Sequence, residues 1–143
     1  MKKSFLLIFF SFFMSCAMDN TSYPLQLESI EKSEQDYIIY LSTEIDLDVI
    51  KNKHHFTEQR LIGLLKKRIP EQNDLKLFGN FNTSEQIKKG NRYYYRCKAK
   101  FENSGLAMKT LNKNDSLEVY LQLSYDMGRT YPTKSITIPV QAF

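Results

Sequence analysis

The sequence predicts a mainly β fold, a small antiparallel β-sandwich of about six or seven strands with one helix packed on it. Apolar and polar residues alternate along 92–102 and 117–125, as in strands that bury one face. Short polar turns at 34–36 and 112–115 favour antiparallel pairing. Only 57–69 carries a helical pattern, so the alternative is an α+β roll, a single curved sheet wrapped on that helix.

The predicted strands begin at Leu25 and Leu27, and each is expected to turn alternate side chains inward. The inward set of the second strand is Tyr37, Ile39, Leu41, Thr43 and Ile45. The inward sets of the later strands are Leu75, Leu77 and Phe81, then Tyr93, Tyr95, Cys97, Ala99 and Phe101, then Leu117, Val119, Leu121, Leu123 and Tyr125. A short strand is also expected within 106–111. In the last strand, with Ile136, Ile138 and Val140, Pro139 lacks a ladder donor and indicates an edge.

The predicted helix covers about 57–69. Thr57 is suited to cap its N-terminus, and Glu58 lies in the first turn, where the helix dipole favours an acidic residue. An apolar stripe follows and Pro70 ends the helix. The stripe consists of Leu61, Ile62, Leu64, Leu65 and Ile69.

The first 15 residues carry two lysines and then an apolar run that is too short to span a bilayer, which is typical of a secretory signal. The run ends in Phe13, Met14, Ser15 and Cys16, and this segment resembles the lipobox of bacterial lipoproteins. The resemblance implies that 1–15 is removed and that Cys16 carries diacylglycerol and an N-acyl chain. A chance cysteine near an ordinary cleavage site, or an uncleaved N-terminal anchor, is the alternative.

The lipobox resemblance also implies a location. Ala17 follows the cysteine, as in lipoproteins exported to the outer membrane, so the chain is expected there with its domain facing the periplasm or, alternatively, the cell surface. Residues 16–24 then form the lipidated cysteine and a polar tether, and 25–143 form a single globular domain.

Composition excludes some partners and suggests no cofactor. Loss of Lys2 and Lys3 with the signal lowers the 20 basic residues to 18, against 16 acidic ones, so charge gives no support for nucleic-acid binding. The adjacent His54 and His55 lack the companion ligands of a metal site. Two carboxylate pairs, Asp46 with Asp48 and Glu31 with Glu34, are expected to be solvated acids near loops.

No nucleophile elbow or glycine-rich phosphate loop occurs in the sequence, so no catalytic residue, cofactor or small-molecule substrate is predicted, and the chain is not expected to be an enzyme. Cys97 is the one cysteine left after Cys16. It falls in the inward register of its strand and is expected to be a buried apolar side chain. A register slip of one residue would expose it instead.

The outward register of the same strand carries the candidate binding residues. Tyr94, Arg96, Lys98 and Lys100 form a cationic stripe on a rigid element. One interpretation is a solvated strand face with Glu118 as counter-charge. The other is a docking face for an acidic protein, peptidoglycan or lipid headgroups, since tyrosine and arginine are enriched at binding hot spots.

These features predict a non-enzymatic binding or assembly module of a cell-envelope machine, with another envelope protein as its partner. In size, anchor and fold pattern the chain is similar to pilotins and to the outer-membrane lipoprotein of type VI secretion machines. The alternative is an envelope immunity or inhibitor protein that blocks a toxin or hydrolase. Its candidate contact loops are 31–36, 82–91 and 126–134.

The lipobox hypothesis predicts the behaviour of Cys16→Ser. Because serine has no thiol to acylate, this variant should take up no labelled lipid and should leave the membrane fraction. Metabolic labelling and fractionation check this, and a labelled, membrane-bound variant would contradict the assignment of Cys16.

Overall fold

The computed structural model describes residues 24–65, 76–102, 112–125 and 128–143 of the chain. These residues form nine strands, one α-helix and two short 3₁₀ turns, Thr83–Glu85 and Val140–Ala142. The helix α1 is Leu47–His54. The strands are β1 Leu25–Ser33, β2 Asp36–Thr43, β3 Glu58–Leu65, β4 Lys76–Phe81, β5 Ile87–Lys89, β6 Arg92–Phe101, β7 Ser116–Ser124, β8 Thr130–Pro132 and β9 Ile136–Pro139.

All the strands belong to one antiparallel sheet, in the order β1-β2-β6-β4-β3-β7-β8. The short β5 pairs with β6 on the side of β4, and β9 pairs with β7 on the side of β8, so nine strands fill seven positions. The pairing of β1 with β2 shifts between Leu27 and Ser29, which marks a bulge. The predicted mainly β class, antiparallel pairing and presence of a helix are confirmed.

The sheet curls around one core. The strand β1, at one border of the sheet, contacts β9 at the other border. The inner faces of the strands therefore enclose a common core. Most of the predicted inward sets of β2, β6 and β7 are buried in this core, while Ile45, Tyr93 and Tyr125 pack against it partly buried. Ile39, Leu41, Cys97, Leu117 and Val119 have no exposed surface.

Small residues make the curl possible at the centre of the sheet. Gly79 lies opposite Ala99, and a Cβ atom on Gly79 would lie 2.8 Å from the Ala99 Cβ and 2.8 Å from the Lys98 carbonyl oxygen. Gly63 is as close to Leu77, whose Cβ would be 2.9 Å away. The neighbouring strands therefore approach each other more closely than larger inward side chains would permit.

The two ends of the curled sheet are closed by different groups. At one end α1 contributes the buried Leu47, and Phe56 follows it into the core. At the other end Phe143 packs edge-on against Tyr37 and Phe101, with ring centroids 5.4 and 5.5 Å away. The helix therefore covers an end of the sheet.

The helix predicted at 57–69 is wrong. Glu58–Leu65 is the strand β3, paired with β4 and β7, and 66–69 lie outside the described residues. The apolar run fits a strand because Leu61 and Leu65 enter the core while Ile62 and Leu64 lie on the opposite, half-apolar face. A period of two and a helical period cannot be told apart when both faces carry apolar residues.

The helix that does form is α1. Asp46 caps it by accepting hydrogen bonds from the backbone nitrogens of Asp48 and Val49, and His55 ends it in the left-handed region at φ 56°. Lys51 and Lys53 lie in the last turn, where the helix dipole favours cations. These end signals were present in the sequence, but this short helix has only one buried apolar residue.

Other sequence predictions fall outside the described residues. The signal segment 1–15, Cys16 with most of the tether, and the short strand expected within 106–111 are among them. In the part of the chain that is described, no helix combines the length and apolarity needed to cross a bilayer.

The close approach at Gly79 predicts a stability change. Gly79→Ala should lower the free energy of unfolding by about 1–3 kcal/mol, because its Cβ would overlap a backbone oxygen that cannot move aside cheaply. Urea denaturation checks this. The control is Asn80→Ala, next in the strand and exposed, which should stay within about 0.5 kcal/mol of the parent. Equal stability of Gly79→Ala and the parent would contradict the argument.

Candidate functional site

The cationic stripe lies on the outer face of the sheet, the face that points away from the core. Arg96, Lys98 and Lys100 are exposed on β6, and Tyr94 is half-buried beside them. Because β6 is an interior strand paired on both sides, the stripe is held on a rigid element. The predicted outward register of these four residues is confirmed.

Two cations of the stripe have no partner among the described residues. Lys98 forms an ion pair with Asp36 of the neighbouring β2, at 2.9 Å. The side chains of Arg96 and Lys100 make no hydrogen bond or ion pair with any other described residue. The expected counter-charge, Glu118, lies on β7 opposite Leu64, with β4 and β3 between it and β6. The choice of Glu118 as the counter-charge is wrong because β6 and β7 are not neighbours, whereas Asp36 of the neighbouring β2 does supply a cross-strand counter-charge to Lys98.

An apolar row continues from the stripe across the outer face. Lys100 lies opposite Phe78 of β4, Phe78 opposite Ile62 of β3, and Ile62 opposite Tyr120 of β7. These three apolar side chains are half-buried, and the neighbouring Leu64 is 41% exposed. We call this set, Phe78, Ile62, Tyr120 and Leu64, the apolar row. Sequence reasoning missed it because two of its members had been assigned to the helix stripe.

Shallow grooves flank Phe78. One, of about 400 Å³, is lined by Arg60, Phe78, Gly79, Asn80, Lys100 and Glu102. A second, of about 300 Å³, lies towards β2 and has Asp36, Lys98 and Ala99 in its lining in place of Arg60 and Glu102. The two linings combine cations, carboxylates and the Phe78 ring, groups that can bind by charge and apolar contact.

The carboxylates of Asp46 and Asp48 accept hydrogen bonds within the protein and are not the solvated acids that the sequence predicted. One oxygen of Asp46 accepts from two backbone nitrogens of α1 and from the side-chain amide of Gln86, at 2.8 Å. Asp48 accepts from the Thr83 hydroxyl at 2.6 Å. Both carboxylates therefore join α1 to the segment before β5.

Tyr95 strengthens the same junction from inside. Its hydroxyl accepts a hydrogen bond from the Leu47 backbone nitrogen at 3.0 Å and lies 2.7 Å from the Gln86 side-chain oxygen, to which it can donate. Burial raises the pKa of Tyr95 well above its ordinary value, so the hydroxyl keeps its proton. The residue is a structural group of this end.

The remaining candidates do not converge on a site. Glu31 and Glu34 are exposed in and beside the turn between β1 and β2, and His54 and His55 end α1. Among residues 24–65, 76–102, 112–125 and 128–143, no group of three or more histidine, cysteine or acidic side chains is placed to hold a metal ion.

Cys97 has the predicted inward register. It is fully buried, and burial raises the pKa of its thiol well above the ordinary value of 9.0. A protonated thiol without solvent access is a poor nucleophile.

The state of Cys97 predicts both its reactivity and a pH dependence. A thiol reagent should modify it only after unfolding, as read by peptide mass. The pKa of the Cys97 thiol is raised in the folded state, so above pH 9.0 the thiol ionises first in the unfolded chain. The contribution of this group to the free energy of unfolding is therefore complete below pH 9.0 and is lost as the pH rises above it. The free energy of unfolding should therefore fall by up to about 1.4 kcal/mol per pH unit there, with a shallower slope in Cys97→Ala. Rapid native labelling would mean that the register is inverted.

Comparison with known proteins adds no relative to this description. No protein-family model matches the chain, and no curated protein or solved structure is significantly similar to it.

Proposed function

We propose that this chain is an outer-membrane lipoprotein whose domain faces the periplasm and works as a non-enzymatic binding or assembly module of a cell-envelope machine, of the secretion or pilus accessory type. Lipid on Cys16 holds it at the membrane, and another envelope protein is its partner. The anchor is supported by the lipobox resemblance that ends at Cys16. Two or more acyl chains give stable attachment, whereas one is marginal.

The observation that carries the binding role is the outer face. Arg96 and Lys100 are exposed cations that pair with no other residue in the described part of the chain, and Lys100 adjoins the apolar row at Phe78. A half-exposed apolar centre bordered by charge has the composition of a protein-binding surface, because the centre supplies buried area and the charges supply orientation.

The charges also indicate the chemistry of the partner. An acidic surface around an exposed apolar side chain would match the cations and bury the apolar row. Arg96 and Lys100 carry that match best, because Asp36 already neutralises Lys98. Like charges at such a contact would be costly, which makes charge reversal a sharp test.

The tested variant is Arg96→Glu with Lys100→Glu, in tagged full-length protein purified from membranes in mild detergent. Both residues are exposed, so the fold should persist while the copurifying partner is lost. The matched control is Lys113→Glu with Lys134→Glu, an equal charge change on exposed loop residues that belong neither to the stripe nor to the apolar row, which should keep the partner. Mass spectrometry of the copurified proteins is the measurement.

Recovery of a secretin or membrane-complex subunit with the parent, lost only in the first variant, supports the proposal. If the first variant retains every partner, the outer face is not the binding surface. A single hydrolase or toxin bound tightly would replace the assembly role with that of an immunity or inhibitor protein.

A further inference from the structure

Exposed apolar side chains gather at one end of the sheet. Val49 on α1 and Ile87 at the start of β5 are each 58% exposed, and they are two of the three large apolar residues so exposed in the described part of the chain. Asp46 ties them together, because one of its oxygens accepts from the Val49 backbone nitrogen at 3.1 Å and from the Gln86 amide at 2.8 Å.

Four lysines lie in the same two elements as these apolar residues. Lys88 and Lys89 are exposed in the β5–β6 hairpin, with their ammonium groups 5.3 Å from the centre of the Tyr93 ring and 5.5 Å from that of Tyr94. Lys51 and Lys53 lie in the last turn of α1. We define the anchor end by these six residues: Val49, Lys51, Lys53, Ile87, Lys88 and Lys89.

The acidic side chains of the same end are engaged by the protein itself. Glu44 lies 3.7 Å from the Arg92 guanidinium. Asp46 and Asp48 hold α1 to its neighbour, and Glu85 accepts a hydrogen bond from the Asn82 side chain at 3.1 Å. Hydrogen bonds from the neutral Gln86, Thr83 and Asn82 side chains leave the charges of Asp46, Asp48 and Glu85 in place, so this end carries both signs of charge. The ammonium groups of the four lysines make no hydrogen bond or ion pair with another described residue, so they can contact an external anion.

The tether enters the domain at this end. Leu25, the first residue of β1, lies in one cross-strand row with Thr43, Tyr93 and Lys88. Three strand spacings separate Leu25 from Lys88, about 14 Å. The segment from Cys16 to Leu25 spans at most about 32 Å when fully extended. A lipid on Cys16 would therefore keep this end of the domain within reach of the bilayer surface.

We propose that the anchor end binds an anionic phospholipid surface and fixes the orientation of the domain on the membrane. The lysines would contact headgroup phosphates, while Val49 and Ile87 would enter the interface, a combination typical of peripheral membrane contacts. The strands then lead away from the membrane, and the outer face stays open to a partner. This inference rests on the lipid anchor of the proposed function.

The test uses the mature lipidated protein in vesicles whose headgroups carry a spin-label quencher. A fluorophore is attached either at Asn91→Cys, in the exposed hairpin turn, or at Lys113→Cys, in the exposed turn before β7 at the other end of the sheet. Quenching at Asn91 should exceed that at Lys113 in vesicles of equal parts phosphatidylcholine and phosphatidylglycerol. In phosphatidylcholine alone the difference should shrink.

Charge reversal sharpens the test. Each lysine near an anionic surface contributes about fivefold to binding, so Lys88→Glu with Lys89→Glu should lower the ratio of docked to undocked domain by about 25-fold or more. The matched control, Lys98→Glu with Lys100→Glu, changes the net charge equally on the outer face and should leave the quenching unchanged.

Flotation with the vesicles separates the two proposals. Flotation with equal quenching at both sites, or with quenching that ignores phosphatidylglycerol, overturns this inference and leaves the lipid anchor standing. Loss of flotation of the parent protein overturns the anchor and the inference together. Flotation with selective, lysine-dependent quenching at Asn91 supports both.

Discussion

The structure depends on one constraint: a single sheet has to cover its own inner face. No second layer lies over β2, β6 and β7 in the described residues, so their apolar side chains leave water only because the sheet curls until β1 meets β9. The close strand approach at Gly63 and Gly79 permits this curl. Closure at the ends then falls to small groups, α1 with Phe56 at one and Phe143 at the other.

The same constraint leaves the outer face open to solvent. Because the inner face of the sheet is buried in the core, only its outer face is accessible to another molecule. On this face β6 contributes cations, and β4, β3 and β7 contribute the apolar row. The rigid interior strands fix the spacing between charge and apolar surface. In the proposed docking role, such spacing would make the face selective, because a partner would have to match the charge and the apolar surface at once.

The alternation of apolar and polar residues along the strands made most of the fold predictable from the sequence. The inward and outward sets of β6 and β7 could be read directly, since one face is apolar and the other polar, and Tyr94, Arg96, Lys98 and Lys100 followed from that. Glu58–Leu65 could not be identified as a strand in this way, because Ile62 and Leu64 of the apolar row make its outer face apolar as well. Strand order is set by pairing between distant segments, which is why Glu118 was assigned to the wrong neighbour and why the row itself was missed.

The irregular borders of the sheet have a consequence for crowding. The bulge after Leu27 in β1 and Pro139 in β9 interrupt the two border ladders, where a strand from another molecule would otherwise add. Under the proposed lipid anchor, copies of the chain would share one membrane plane and collide far more often than in free solution, so an uninterrupted border would favour polymers across that plane. Interrupted borders oppose such polymers, and neighbouring copies can then meet other proteins through their faces rather than fuse with one another.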